Sequence, residues 1–128
     1  MARNIMRVFA NTNFLVSAFA SRGLSADVFQ LILTKHELQT GEFNLDELRR
    51  ILIERFKLPS QIAQQAENLL RQHHIEPIPK KPSEFELGDF EDRWVLASAL
   101  NAKAHILITG DKDLLDISNE IEETRILN

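Results

Sequence analysis

The chain has 128 residues, of which 44% are hydrophobic, a formal net charge of -4 and no cysteine. This length and apolar content suffice for a single domain over residues 1–128 with its own core. The absence of cysteine excludes disulfides and thiolate metal sites, and no apolar run predicts a signal peptide or a membrane span, so we expect a soluble cytoplasmic protein. The negative net charge argues against a broad basic surface for nucleic acid, so any RNA-directed function must rest on local groups.

Apolar segments alternate with polar turns in the first third of the chain. The run from Ile5 to Ala10 predicts a buried strand, and the polar triplet Asn11 to Asn13 predicts a turn before a helix that begins near Phe14. The amphipathic pattern from Leu24 to Thr34 predicts a second helix. A short strand is predicted from His36 to Thr40.

The middle of the chain reads as two helices and a strand. Asn44 to Glu47 open a helix that Pro59 stops, because proline cannot continue a helix. Ser60 is typical of a helix cap, and the helix that follows extends to about Gln72. His74 to Ile78 form a candidate strand, which leads into the proline-bearing loop from Pro77 to Pro82.

The last third repeats the alternation. Gly88 and Asp89 start a helix, and His105 to Thr109 form a buried strand that Gly110 and Asp111 close. A short helix from Lys112 to Ile117 and a strand from Thr124 to Leu127 complete the order. Because the connections between strands are too long for hairpins, we predict a three-layer α/β sandwich with a mostly parallel central sheet.

Acidic and amide side chains fall at the starts of predicted helices, and several directly follow strands. The set comprises Asn11, Glu47, Asp89, Asp92, Asp111 and Asp113. The carboxyl ends of parallel strands form the crevice in which ligands bind, so these groups have a reason to converge. Gathered carboxylates repel one another unless a cation compensates. Without cysteine or histidine among them, oxygen ligands of this kind favour Mg²⁺ or Mn²⁺ over zinc.

A purely structural interpretation of the same residues stays open. Asn44 with Glu47 and Asp89 with Asp92 have the spacing of a capping box, and Asp111 alone is a plausible cap for the last helix. The four histidines form no convincing catalytic arrangement with serine or aspartate. The four glycines stand singly, which excludes a P-loop.

Several ordered segments resemble the PIN-domain family. The segment Val8 to Ala18 is similar to the family's opening, which usually reads Asp-Thr-Asn before an apolar helix, and Leu107 to Leu115 is similar to its later strand-to-helix motif. Glu47 and Asp92 match its second and third acidic positions. The likeness runs from about Met6 to Leu115 and is strongest to PIN proteins that act as VapC-like toxins of toxin–antitoxin pairs.

The resemblance implies a Mg²⁺- or Mn²⁺-dependent endoribonuclease that hydrolyses RNA with a metal-activated water. It further implies an antitoxin protein as partner and a possible homodimer. The implied metal ligands are Asn11, Glu47, Asp92 and Asp111, with Asp113 in support. Thr12, Asn13 and Thr109 would orient these groups by hydrogen bonds. The candidate RNA contacts are Arg22, Arg93 and Lys112.

The sequence departs from the family at its first acidic position, where Asn11 replaces aspartate. An amide oxygen can ligate a metal but carries no charge, so metal affinity and catalysis should fall. Either the protein is naturally weakened or altered, or the substitution was made to silence a toxic nuclease. Two other functions compete: a non-catalytic PIN-fold module that binds RNA or an antitoxin, and, distantly, a receiver domain, which would need an acidic pair after the first strand.

Overall fold

The structure is a computed structural model and describes residues 4–21, 23–85, 87 and 89–128. Five parallel strands form one sheet in this part of the chain, in the order β3-β2-β1-β4-β5. The strands are β1 (Arg7–Ala10), β2 (Glu37–Gly41), β3 (His74–Glu76), β4 (Ile106–Ile108) and β5 (Arg125–Leu127). The predicted strands are therefore all present, and every pairing is parallel.

Helices connect the strands. They are α1 (Thr12–Ala20), α2 (Leu24–Lys35), α3 (Glu42–Glu54), α4 (Ser60–Leu70), α5 (Phe90–Asn101) and α6 (Lys112–Asp116), with a 3₁₀ turn at Ser118–Glu120. Among the described residues, no helix combines the length and the apolar character needed to cross a bilayer.

The two faces of the sheet carry separate cores. Along β1, Val8 and Ala10 face the core built by α1 to α4, whereas Phe9 faces the core built by α5 and α6. This alternation follows from the two-residue period of a strand, and both faces of β1 are buried because it is the central strand. The arrangement confirms the predicted three-layer α/β sandwich.

Two predicted helix starts are too late. The triplet predicted as a turn is instead the start of α1, with Asn11 as its N-cap and Thr12 as its first helical residue. Likewise α3 begins at Glu42, directly after β2, so Asn44 lies within the first helical turn. In both cases the helix begins within two residues of the end of the strand. Gly88, predicted to help start α5, lies outside the described residues.

The chain order reverses beside β1. From β1 the chain first builds β2 and β3 on one side and later adds β4 and β5 on the other. The backbone N–H of Asn11 donates to the carbonyl of Ile108 at 3.0 Å, so the carboxyl ends of β1 and β4 lie side by side. Such a switch point opens a crevice between the connections that leave the two strands.

Candidate active site

An acidic cavity of about 350 Å³ opens at this switch point. Asn11 reaches it from β1, Glu47 from α3, Asp92 from α5 and Asp111 from the connection after β4. Its acidic and polar lining consists of Asn11, Thr12, Asn13, Ser17, Glu47, Asp89, Glu91, Asp92 and Asp111. The four side chains predicted as metal ligands therefore line one cavity, which we call the acidic cavity.

Three carboxylates in the acidic cavity lie close enough to share one cation. Asp89, Asp92 and Asp111 each offer an oxygen, and these oxygens lie within 4.8 Å of one another. Asp89 was among the acids expected to converge but not among the predicted metal ligands. It is the N-cap of α5 and precedes Asp92 by three residues, and this spacing is the signal that could have identified it as a ligand. Asp113 does not line the cavity.

Asp92 is the buried member of the cluster. Its side chain is 4% exposed, and its Oδ2 has no hydrogen-bond partner among the described residues. Burial is the main cause that raises the pKa of Asp92 to about 7, and the neighbouring Asp111 carboxylate adds to it, followed by Asp89 and Asp113. A buried carboxylate with an unused oxygen beside other acids fits a site for a hard cation.

Glu47 and Glu91 form a second pair of acids in the lining of the acidic cavity. Desolvation raises the pKa of Glu91, and the nearby Glu47 and Asp89 carboxylates raise it further. Arg50 opposes this effect. Glu91 was not predicted as a site residue, because the sequence offers no way to see that it faces Glu47 on another helix.

Two of the clustered acids also cap helices, as the structural interpretation expected. Asp89 Oδ1 accepts the backbone N–H of Glu91 at 2.9 Å, and Asp111 Oδ1 accepts that of Asp113 at 2.9 Å. A carboxylate has two oxygens, so capping through one of them leaves the other for a ligand. Capping and cation binding are therefore compatible at both residues.

Asn11 is fixed by hydrogen bonds on both sides of its amide. Its Oδ1 accepts the backbone N–H of Thr12 at 2.8 Å and Nδ2 of Asn44 at 3.0 Å. Its Nδ2 donates to Thr109 Oγ1 at 2.9 Å. Because the backbone of Thr12 can only donate, the oxygen must face it, and both lone pairs of that oxygen are then in use.

Asn44 is a part of the site that the sequence did not reveal. Its side chain is fully buried and donates to Asn11 Oδ1 and, at 2.9 Å, to Thr12 Oγ1. The predicted capping box with Glu47 is wrong, since α3 begins two residues earlier with Gly41 as its N-cap. A Cβ on Gly41 would lie 3.0 Å from Asn44 Oδ1, so the backbone of β2 must approach Asn44 closely.

Asn13 and Thr109 join the start of α1 to the loop after β4. Asn13 Oδ1 accepts the backbone N–H of Gly110 at 3.1 Å and the Thr109 hydroxyl at 3.4 Å. Thr109 Oγ1 in turn accepts the backbone N–H of Asp111 at 3.0 Å. These bonds hold Asp111 in register with Asn11, the geometry that an orienting role would need.

Among the described residues, Arg55 is the basic residue that lines the acidic cavity. It lies four and eight residues beyond Ile51 and Glu47, which also line the cavity, so one face of α3 supplies all three. No ion pair of Arg55 is present in the described part of the chain. That helical spacing from Glu47 was the signal available in the sequence.

The predicted RNA contacts lie elsewhere. Arg93 Nε donates to the carbonyl of Ser83 at 2.9 Å, and its guanidinium lies over the Phe90 ring. Lys112 forms an ion pair with Asp116 at 3.0 Å. Neither residue lines the acidic cavity, and Arg22 lies outside the described residues.

This protein has a parallel α/β sheet with carboxylates gathered at its switch point. It therefore belongs to the class of α/β proteins whose ligand site lies at the carboxyl ends of the strands. The sequence profile of the PIN domain matches residues 7–113. The chain therefore belongs to the PIN-domain family, as the sequence motifs indicated. Comparison with curated proteins by sequence gave no significant match.

Solved structures with the same fold include one chain named as a toxin and one named as an endonuclease. A chain of VapBC2 from Rickettsia felis, solved bound to a DNA fragment from their promoter, matches with a TM-score of 0.64 at 12% identity over 94% of this chain and 97% of that chain. VapC20 from Mycobacterium tuberculosis, a sarcin–ricin loop cleaving toxin, matches with a TM-score of 0.62 at 18% identity over 92% and 98%. The PIN-domain endonuclease Utp24 matches with a TM-score of 0.50 at 17% identity over 94% and 82%. At these identities the likeness concerns the fold.

Proposed function

We propose that this protein is a metal-dependent endoribonuclease weakened by Asn11. The observation that carries the proposal is the cluster of Asp89, Asp92 and Asp111, whose oxygens lie within 4.8 Å of one another in the acidic cavity of a PIN domain. Hard oxygen ligands of this kind suit Mg²⁺ or Mn²⁺. When bound, the cation activates a water for attack on phosphorus and offsets the negative charge of the phosphate.

Residues of the chain bind the cation, orient water and adjust the charge of the site. Asp89, Asp92 and Asp111 would hold the cation, and Asp92 Oδ2, which has no hydrogen-bond partner among the described residues, is available as a ligand atom. Glu47 and Glu91 also line the cavity and would orient a water by accepting hydrogen bonds from it. Asp113 acts from outside the cavity, where its negative charge raises the pKa of Asp92.

Asn11 weakens this site in two ways. It lacks the charge of the family's aspartate, and its oxygen is occupied by Thr12 and Asn44. An aspartate here would accept the same two hydrogen bonds and would add a charged oxygen on the side where Asn11 Nδ2 now donates to Thr109. We expect that asparagine in place of aspartate at position 11 lowers the affinity for the cation and leaves the fold unchanged.

The net charge of the chain is -4, so binding of the RNA backbone needs a local positive charge, and Arg55 supplies it. From the rim of the acidic cavity its guanidinium can donate two hydrogen bonds to one phosphate. We assign Arg55 the role of holding the RNA backbone while the cation and the acids act on the bond to be cut.

The biological setting we propose is a toxin–antitoxin pair in the cytoplasm. The fold matches to a VapBC2 chain and to VapC20 support a toxin assignment, and the cleavage of the sarcin–ricin loop named for VapC20 supports RNA as the substrate. An antitoxin protein would then be the regulatory partner, and a homodimer is possible.

The decisive experiment compares Asn11→Asp with the unaltered chain. Each is purified without an antitoxin and incubated with Mn²⁺ and a set of structured and single-stranded RNAs. We expect Asn11→Asp to cut RNA at least about 100-fold faster, because restored charge on one metal ligand is worth about 3 kcal/mol in a site of this kind. Adding Asp111→Asn should abolish the gain, whereas adding Asp116→Asn, which changes an exposed acid outside the cavity, should not. If Asn11→Asp cuts none of the RNAs, the nuclease proposal is wrong.

A non-catalytic PIN module is the second candidate. It is favoured by the closed hydrogen-bond network around Asn11, which leaves no free oxygen there for a metal. Such a module would bind RNA or an antitoxin equally well with and without Mn²⁺, and Asn11→Asp would not change that affinity.

A further inference from the structure

A second cavity of about 380 Å³ adjoins the acidic cavity. Asn13 and Ser17 line both, so the two share one wall formed by the first turns of α1. The far side of the second cavity is the start of α2, which contributes Leu24, Ser25 and Val28. Its size lies within the range of small-molecule sites.

The chemistry of the second cavity differs from that of its neighbour. Among the residues that the structure describes, none of the side chains that line it is ionisable, whereas five carboxylates line the acidic cavity. Leu24 and Val28 provide apolar surface, and Leu24 is 81% exposed although it lies on a regular helix. An exposed leucine beside neutral polar groups suits a flat, uncharged ligand with polar edges.

Polar donors at the rim are oriented and available. Asn13 Oδ1 accepts the backbone N–H of Gly110, which identifies the other end of the amide, Nδ2, as the donor, and no partner for that Nδ2 occurs among the described residues. Ser17 donates its hydroxyl to Ser25 at 3.0 Å, which leaves the Ser25 proton free to donate. These groups can recognise the edge of a heterocycle.

We propose that the second cavity binds the base and ribose of a nucleotide next to the phosphate held in the acidic cavity. The inference rests on the proposed function for its ligand class, RNA. Single-stranded RNA is recognised through the faces and edges of its splayed bases, and this cavity offers an apolar face in Leu24 and edge partners in Asn13 and Ser25. Contacts in the second cavity would therefore determine which bases are preferred next to the bond that is cut.

The test uses ribonucleosides, because they carry no phosphate and need no metal. The intact chain is titrated with adenosine, guanosine, cytidine and uridine at millimolar concentrations, and backbone amide signals are followed by NMR. We expect at least one nucleoside to shift the signals of Ser25, Val28 and Gly110 in a saturable way. Leu24→Glu should weaken that binding about ten-fold by removing the apolar face. Leu31→Glu is the matched control, because Leu31 is also exposed on α2, two turns further along and away from the cavity.

The outcomes separate this inference from the nuclease proposal. Nucleoside binding that depends on Leu24 supports the second site even if Asn11→Asp cuts no RNA. In the cleaving variant, adding Leu24→Glu should change the preferred cut sites, whereas adding Leu31→Glu should leave them as they were. The inference is overturned if no nucleoside shifts these amide signals, or if Leu24→Glu and Leu31→Glu weaken binding equally.

Discussion

Asp92→Asn should stabilise the metal-free protein and, at the same time, remove its stabilisation by metal. In the folded chain burial and the Asp111 carboxylate raise the pKa of Asp92 to about 7, against an ordinary value of 3.8. The amide of asparagine has the shape of the protonated acid and can donate to Asp111, but it carries no charge to bury. The variant therefore lacks the buried carboxylate charge that destabilises the folded state, and it also lacks one proposed metal ligand.

The size of the effect follows from proton linkage. Between pH 3.8 and about 7 the folded state binds more protons at Asp92 than the unfolded state does, so the free energy of unfolding falls as pH rises through this range. The full displacement of the pKa corresponds to about 4 kcal/mol. Since the cavity is open to water, which screens the charges, we expect about 2 kcal/mol at pH 8, or about 8 °C in Tm.

The assay is thermal unfolding from pH 4.5 to 8.5, with EDTA and with Mn²⁺. The unaltered chain should lose stability as pH rises in EDTA, and Asp92→Asn should show a flatter profile and a higher Tm at pH 8. With Mn²⁺ at 100 times its dissociation constant the unaltered chain should gain about 2.7 kcal/mol, and the variant should gain little. A variant that is less stable than the unaltered chain in EDTA at pH 8 would refute the reasoning.

Three further outcomes are expected from the surrounding residues. Asn44→Ala should lower the free energy of unfolding by about 2 kcal/mol in urea titrations, because its two buried hydrogen bonds are lost. Gly41→Ala should cost about 1–3 kcal/mol by crowding Asn44, whereas Gly110→Ala, whose added Cβ meets nothing closer than 3.8 Å, should cost less in the same titration. In the RNA-cleaving variant, Arg55→Ala should raise KM for RNA with Mn²⁺ affinity unchanged, and Lys112→Ala should leave both constants as they were.

The parts of the site that the sequence predicted share one property. Asn11 directly follows β1 and Asp111 lies three residues beyond the end of β4, and the carboxyl ends of parallel strands must meet at one edge of the sheet. Asp92 was identified through the acidic motif of the PIN family and then found near them. The position of residues after strands, the rule on strand ends and the family motif were therefore enough to predict that these residues share one cavity.

The parts that the sequence missed depend on contacts between distant segments. Asn44 has the local spacing of a helix cap, and only the contact with Asn11, 33 residues earlier, shows its role. Glu91 faces Glu47 across two helices, and no periodicity within either helix reports that. Arg55 was accessible in principle through its helical spacing from Glu47. The start of α3 was predicted too late because the spacing of Asn44 and Glu47 resembles a capping box, whereas the N-cap is Gly41.

The central claim is that the acidic cavity binds a divalent cation through its clustered aspartates. Isothermal titration of the metal-free chain with Mn²⁺ tests it most directly, with Asp111→Asn and Asp116→Asn as matched variants. We predict saturable binding to the unaltered chain and to Asp116→Asn, and at least about a ten-fold loss of affinity in Asp111→Asn. Equal Mn²⁺ affinity in all three proteins would contradict the claim.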